Sequence, residues 1–165
     1  MNVTKFAAAA VIAAVSSTAA FADTFTKYGE VEGWKVFTHN EWSACLMEKS
    51  DDAGNVVQMG YTKGHDAGYV GVFTKAETDI KRNAKEAVVI QIADDFYYGD
   101  ATGMRGNVTE GYTGGYVLSN NAQFFDDVAR QYTMIVFPEK EYAFTVDLTG
   151  TLKGIEMVRA CQSAQ

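Results

Sequence analysis

Histidine and cysteine are both scarce, two of each in 165 residues, and proline occurs once. His39 and His65 form no H-x-x-x-H or H-E-x-x-H pair and neither has a second cysteine nearby, so no zinc ligand set is available. There is no P-loop, G-x-G-x-x-G or G-x-S-x-G elbow, and Gly99-Asp100-Ala101-Thr102-Gly103 has no following Lys, which makes it a bend between strands. Basic residues are outnumbered, 14 against 21 acidic, for a formal charge of −7. That balance opposes phosphate backbones and anionic surfaces and argues against nucleic acid as a partner. After residue 22 no apolar run exceeds a few residues, residues 134–137 being typical, so no membrane-spanning segment is expected there.

The first 22 residues have a different character. Lys5 is followed by an unbroken apolar run over residues 7–15 and by Ala20-Phe21-Ala22, a small-x-small site. This is the pattern of a cleaved secretory signal, with the mature chain expected to start at Asp23. The apolar run is well short of the roughly 20 residues that span a bilayer. No cysteine follows the site to carry a lipid anchor, so a soluble product is expected. Residues 23–165 make one domain with room for one core. A monomer is the default.

In a periplasmic or secreted protein, Cys45 and Cys161 read first as a disulfide. Such a bridge would add about 4–5 kcal/mol in the chain-entropy model. The alternative is a catalytic thiol at Cys45 with His39 as its base.

Short β-type runs over residues 36–38, 44–48, 56–61, 69–74, 88–92, 96–98 and 116–118 are separated by Gly, Asn and Asp. Asp52-Ala53-Gly54-Asn55 and Gly64-His65-Asp66-Ala67-Gly68 have hairpin-turn chemistry, which implies antiparallel pairing. Residues 78–86, polar and without period, read as a surface connection. A helix over about 121–132, capped by Asn120 or Asn121, puts Phe124, Phe125, Val128, Ala129 and Tyr132 on one face. A strand pair over 134–137 and 142–148 flanks Pro138, which suits a turn or a sheet edge. A last helix over about 151–163 carries Leu152, Ile155 and Val158 as a stripe beside Met157 and Cys161, with Gly154 weakening it by about 1 kcal/mol. The expected fold is mainly β: an antiparallel sandwich or partly open barrel with one inserted helix and a C-terminal helix.

Adjacent carboxylates at Asp51-Asp52, Asp94-Asp95 and Asp126-Asp127 point in different directions on a strand or helix and make no acid/base dyad. Asp51 onward turns apolar too soon for a calcium loop, so no metal or cofactor is expected. The unusual feature is aromatic: Tyr61, Tyr69, Tyr97, Tyr98, Tyr112 and Tyr116 lie in or beside Gly-rich strands. Glycine beside tyrosine leaves room around a ring and can build a binding surface, although a tyrosine with one apolar and one wet end also suits a core edge.

Trp34, Trp42 and Cys45 in the first strands, β-rich middle strands, and the ending Phe144-Thr145-Val146-Asp147-Leu148-Thr149-Gly150 before a helix give the chain a resemblance to the invasion-associated locus B family. What this implies is a secreted, β-rich domain of a Gram-negative bacterium with no catalytic residues to transfer. The expected function is a periplasmic or secreted binding module recognising an envelope glycan, another envelope component or a protein, an enzyme to be inhibited among them. The alternative is a small hydrolase or isomerase using His39 or His65 with Asp66 or Asp95, residues in or beside turns.

Overall fold

A computed structural model describes residues 24–62, 64, 67–101, 111–120 and 122–165. The expected signal segment, His65, Asp66 and Asn121 lie outside the described residues. Ten strands are formed: β1 (Phe25–Val31), β2 (Trp34–His39), β3 (Ala44–Ser50), β4 (Val56–Tyr61), β5 (Gly68–Thr74), β6 (Val88–Ile92), β7 (Asp95–Ala101), β8 (Thr113–Ser119), β9 (Thr133–Val136) and β10 (Phe144–Asp147). Helix α1 (Ala122–Arg130) follows β8, and α2 (Thr151–Ser163) ends the chain. The strands make one antiparallel sheet in the order β1-β2-β3-β4-β5-β8-β7-β6-β9-β10. The mainly β fold with two helices is as expected.

The sheet curls. Lys49 on β3 donates to the Asp147 carboxylate at 3.1 Å and to its carbonyl at 2.9 Å, and Trp34 Nε1 on β2 donates to the Thr149 carbonyl at 3.2 Å. Segments far apart in strand order are thereby tied together.

Strand pleating sends alternate residues to opposite faces. One face presents Trp34 and Val36, Met47, Val57 and Met59, Val70 and Val72, Val88 and Ile90, and Val136 to a single buried core. Phe124, Phe125 and Val128 of α1 and Ile155, Val158 and Cys161 of α2 cover it. The disulfide is present: Cys45 on β3 is bonded to Cys161 on α2 with Cα atoms 6.1 Å apart, which rules out Cys45 as a catalytic thiol. Thr151, Gly154, Ile155, Val158 and Cys161 form the buried stripe of α2, whereas Leu152 is 54% exposed and does not belong to it. Ile155, Val158 and Cys161 are buried as expected, and Thr151 and Gly154 complete the stripe in place of Leu152, with the helix very close to the sheet. A Cβ on Gly154 would lie 2.6 Å from Met47 Sδ and 3.3 Å from the Trp34 ring, so the residue that weakens the helix also lets it dock. Tyr132 lies beyond the end of α1 and is 78% exposed, not part of its buried face.

Candidate functional site

Among the described residues no helix lies on the opposite face of β1–β5 and β8, yet many of its residues are buried. Cross-strand register accounts for this. Phe25 pairs with His39 and His39 with Ala44; Leu46 pairs with Gly60, Gly60 with Tyr69, and Tyr69 with Leu118. A parallel row runs Glu48, Gln58, Gly71, Tyr116, Asp100. Directly opposed side chains on one face are near enough to pack. Glycine makes room for the rings: a Cβ on Gly71 would lie 2.4 Å from Tyr116 Cε1, and one on Gly60 would lie 2.8 Å from the Tyr69 hydroxyl. Tyr116 packs edge-on against Tyr69 and Phe73, with centroids 5.2 and 5.3 Å apart.

The polar row is hydrogen-bonded across three strands. The Tyr116 hydroxyl donates to Gln58 Oε1 at 2.9 Å, and Gln58 Nε2 donates to Glu48 Oε2 at 2.8 Å. Gln58 is buried, and these bonds offset the cost of desolvating its amide. Asp100 is engaged by the Lys85 ammonium and by the Glu86 amide at 3.2 Å, which hold its carboxyl below the usual range.

His39 sits at the other end, where the chain turns between β2 and β3. The amides of Trp42 and Ser43 both donate to the His39 carbonyl, at 3.2 and 3.0 Å. That turn folds the indole flat onto the imidazole, with centroids 4.1 Å apart and planes 6° from parallel. Phe25 meets the same ring edge-on at 4.7 Å. The Glu41 amide donates to His39 Nδ1 at 3.3 Å, which leaves the ring proton on Nε2. Among the described residues Nε2 has no partner. Every sealed side-chain nitrogen or oxygen among them does have one, so Nε2 is not sealed. His39 is 8% exposed.

Between these two ends lies a cleft of about 510 Å³, walled mainly by Phe25, Trp42, Leu46, Tyr69, Tyr116 and Leu118, with His39 and Asp100 at its polar points. The volume is within the range of small-molecule sites. Three of the six sequence-selected tyrosines, Tyr61, Tyr69 and Tyr116, line it. The other three lie elsewhere. Tyr97 faces the core, its ring 4.8 Å from that of Phe124, and its hydroxyl is pushed up first by burial and then by Asp127 and Asp95. Tyr98 is exposed on β7, and Tyr112 lies beneath the Lys75 ammonium at 4.8 Å. Phe25, Leu46 and Leu118 were not singled out from the sequence. The signal for them is β5, whose Tyr69 to Phe73 segment is apolar or glycine at every position, the pattern of a strand packed on both faces.

No carboxylate forms an ion pair with His39 among the described residues. Asp95 opens β7 beside the Ala93-Asp94 turn, outside the cleft lining. Also among the described residues, no three His, Cys, Asp or Glu side chains are placed to hold a metal ion, and no helix is long and apolar enough to cross a membrane. Comparison with known proteins matched the chain to no family model, no curated protein and no solved structure.

Proposed function

We propose that the protein is a periplasmic or secreted binding module that takes up a component of the cell envelope in the outer-face cleft. The observation that carries this is the cleft itself: a pre-formed, mainly apolar volume on the sheet face away from α1 and α2, with few polar groups aimed into it. The disulfide favours an oxidising compartment, and the signal-like residues 1–22 favour the same route. The resemblance to the invasion-associated locus B family, carried by Trp34, Trp42, Cys45 and the ending from Phe144 to Gly150, supports that compartment too. A concave volume suits a ligand enclosed by the protein better than a flat protein partner. The hydrolase or isomerase reading gains no support from His39, whose Nδ1 is engaged by a backbone amide and not by a carboxylate.

The test is thermal stability in the presence of fractionated envelope extract, with Ala44→Phe as the control. Ala44 lines the cleft opposite His39, and a phenyl group there fills the space. An extract fraction that raises the Tm of the parent protein but not of Ala44→Phe is the expected result. An equal response from both proteins overturns the proposal.

A further inference from the structure

We infer that the cleft binds a single acyl chain whose carbonyl or carboxylate oxygen accepts a hydrogen bond from His39 Nε2. This rests on the reading of the cleft as a binding site and specifies what enters it.

Shape is the first argument. The lining runs from Phe25 on β1 through β2, β3, β4 and β5 to Leu118 on β8, six strands that are neighbours in the sheet. At about 4.8 Å per strand that path is about 24 Å long. A volume of about 510 Å³ drawn out over such a length is long and narrow. It suits an extended chain and not a compact ring system.

Polarity is the second. A glycan needs many hydrogen-bonding groups and exposed ring faces, whereas here the tyrosine rings pack edge-on against one another. Asp100 is occupied by Lys85 and Glu86, and the Thr62 hydroxyl by Ala67. Among the described residues no Lys or Arg lines the cleft, and the nearby Lys85 ammonium is paired with Asp100. His39 Nε2 is a donor with no partner among the described residues, on a ring held between Phe25 and Trp42. A donor at the end of a mainly apolar trough matches an acceptor at the end of an apolar chain. At the far end Leu118 is 61% exposed, which leaves an apolar rim over which a longer chain passes out.

The experiment uses the chain from Asp23 to Gln165, which keeps all ten strands, both helices and the disulfide. Binding is read by displacement of N-phenyl-naphthylamine, a neutral fluorescent probe, with palmitic acid, monopalmitoyl glycerol and hexadecylamine as competitors. The two acyl competitors separate a free acid from an ester source of the same carbonyl. We expect both to displace the probe from the parent protein but not from Ala44→Phe. Palmitic acid should bind about tenfold more tightly than hexadecylamine, the worth of a hydrogen bond to a charged acceptor. The tested chain, without Lys5, carries 13 basic against 21 acidic residues, and this negative charge favours the amine, so a preference for the acid cannot come from the overall field. His39→Phe keeps an aromatic ring between Phe25 and Trp42 and should abolish that preference. The acid-against-amine comparison in the parent protein stands even if this variant fails to fold. Equal affinity for acid and amine overturns the role of His39. Probe binding that neither acyl competitor displaces overturns the acyl assignment and leaves the cleft as a binding site for another ligand. Absence of probe binding to the folded protein overturns both readings.

Discussion

The two faces of the sheet are made by the same strands and built from different materials. On the helix-bearing face, β3, β4 and β5 present Met47, Val57, Met59, Val70 and Val72, aliphatic and sulfur side chains that close-pack under α1 and α2. On the cleft face the same strands present Leu46, Gln58, Gly60, Tyr69, Gly71 and Phe73, where rings lie over glycines and one amide is held by hydrogen bonds. The first face is filled by the protein's own helices. The second carries rings seated over glycines and keeps an open volume beside them. The lesson is that the same strands serve two ends: close-packed aliphatic side chains seat helices on one face, and tyrosines laid across glycines wall a trough on the other.

If the helix-bearing face holds the fold together, removing its covalent tie should have the largest effect. Replacing Cys45 and Cys161 together by Ser opens a loop of 116 residues and should cost about 4–5 kcal/mol by the chain-entropy model, measured by urea unfolding. A loss below about 1 kcal/mol would mean that α2 is held by packing alone. Next comes Gly71→Ala on the cleft face. The new methyl displaces the Tyr116 ring, which should cost about 1–3 kcal/mol and abolish probe binding in the cleft. A variant that keeps both stability and probe binding would show that the ring does not depend on the glycine. Smaller still is Tyr116→Phe. It removes one hydrogen bond to the buried Gln58 amide, about 1 kcal/mol, without changing the packing of the ring. Comparing these two substitutions separates the steric part of the cleft wall from its polar part.

How much of this was legible in the sequence differs between the faces. All seven β-type runs of the N-terminal two-thirds lie within strands, and the C-terminal helix has the expected limits, because alternation and turn residues are local signals. The pairing of Cys45 with Cys161 followed from an even count of two. The cleft was only half legible. Tyr61, Tyr69 and Tyr116 could be picked out as tyrosines near glycine, but Tyr97 met the same rule and faces the core. Strand parity separates Tyr69 and Tyr116 from Tyr97, whereas Tyr61, at the end of β4, shares the parity of Met59 and packs against Phe125 of the core while also touching the cleft. Phe25 and Leu118 enter the site only through register, which brings β1 within reach of β3 and β8 beside β5. In α2, Ile155, Val158 and Cys161 were legible, but Leu152 was placed in the stripe for its apolar side chain, whereas close approach to Met47 and Trp34 selects Gly154.

The smallest expected effect lies where the curled sheet meets itself. Asp147 accepts from the Thr149 hydroxyl and amide, the latter at 2.8 Å, and from Lys49, and together these lower its pKa to about 2. A carboxyl whose folded pKa lies below its unfolded value of 3.8 stabilises the fold at higher pH, and that contribution is lost as pH falls through about 4 toward 2. The side chain is 63% exposed, so screening limits the contribution to about 0.5–1 kcal/mol. Asp147→Asn should therefore lower stability by this amount at neutral pH and leave it unchanged well below pH 2, where the parent carboxyl is itself largely protonated. Because Lys49 also lies 5.5 Å from the centre of the Trp34 ring, the loss should register in indole fluorescence from the helix-bearing face. The cleft residues lie on the other side of the sheet, so probe binding to the folded variant should be unaltered. A change in probe affinity on Asp147→Asn would show that the two faces are coupled through β3, and the division between a structural and a binding face would fall.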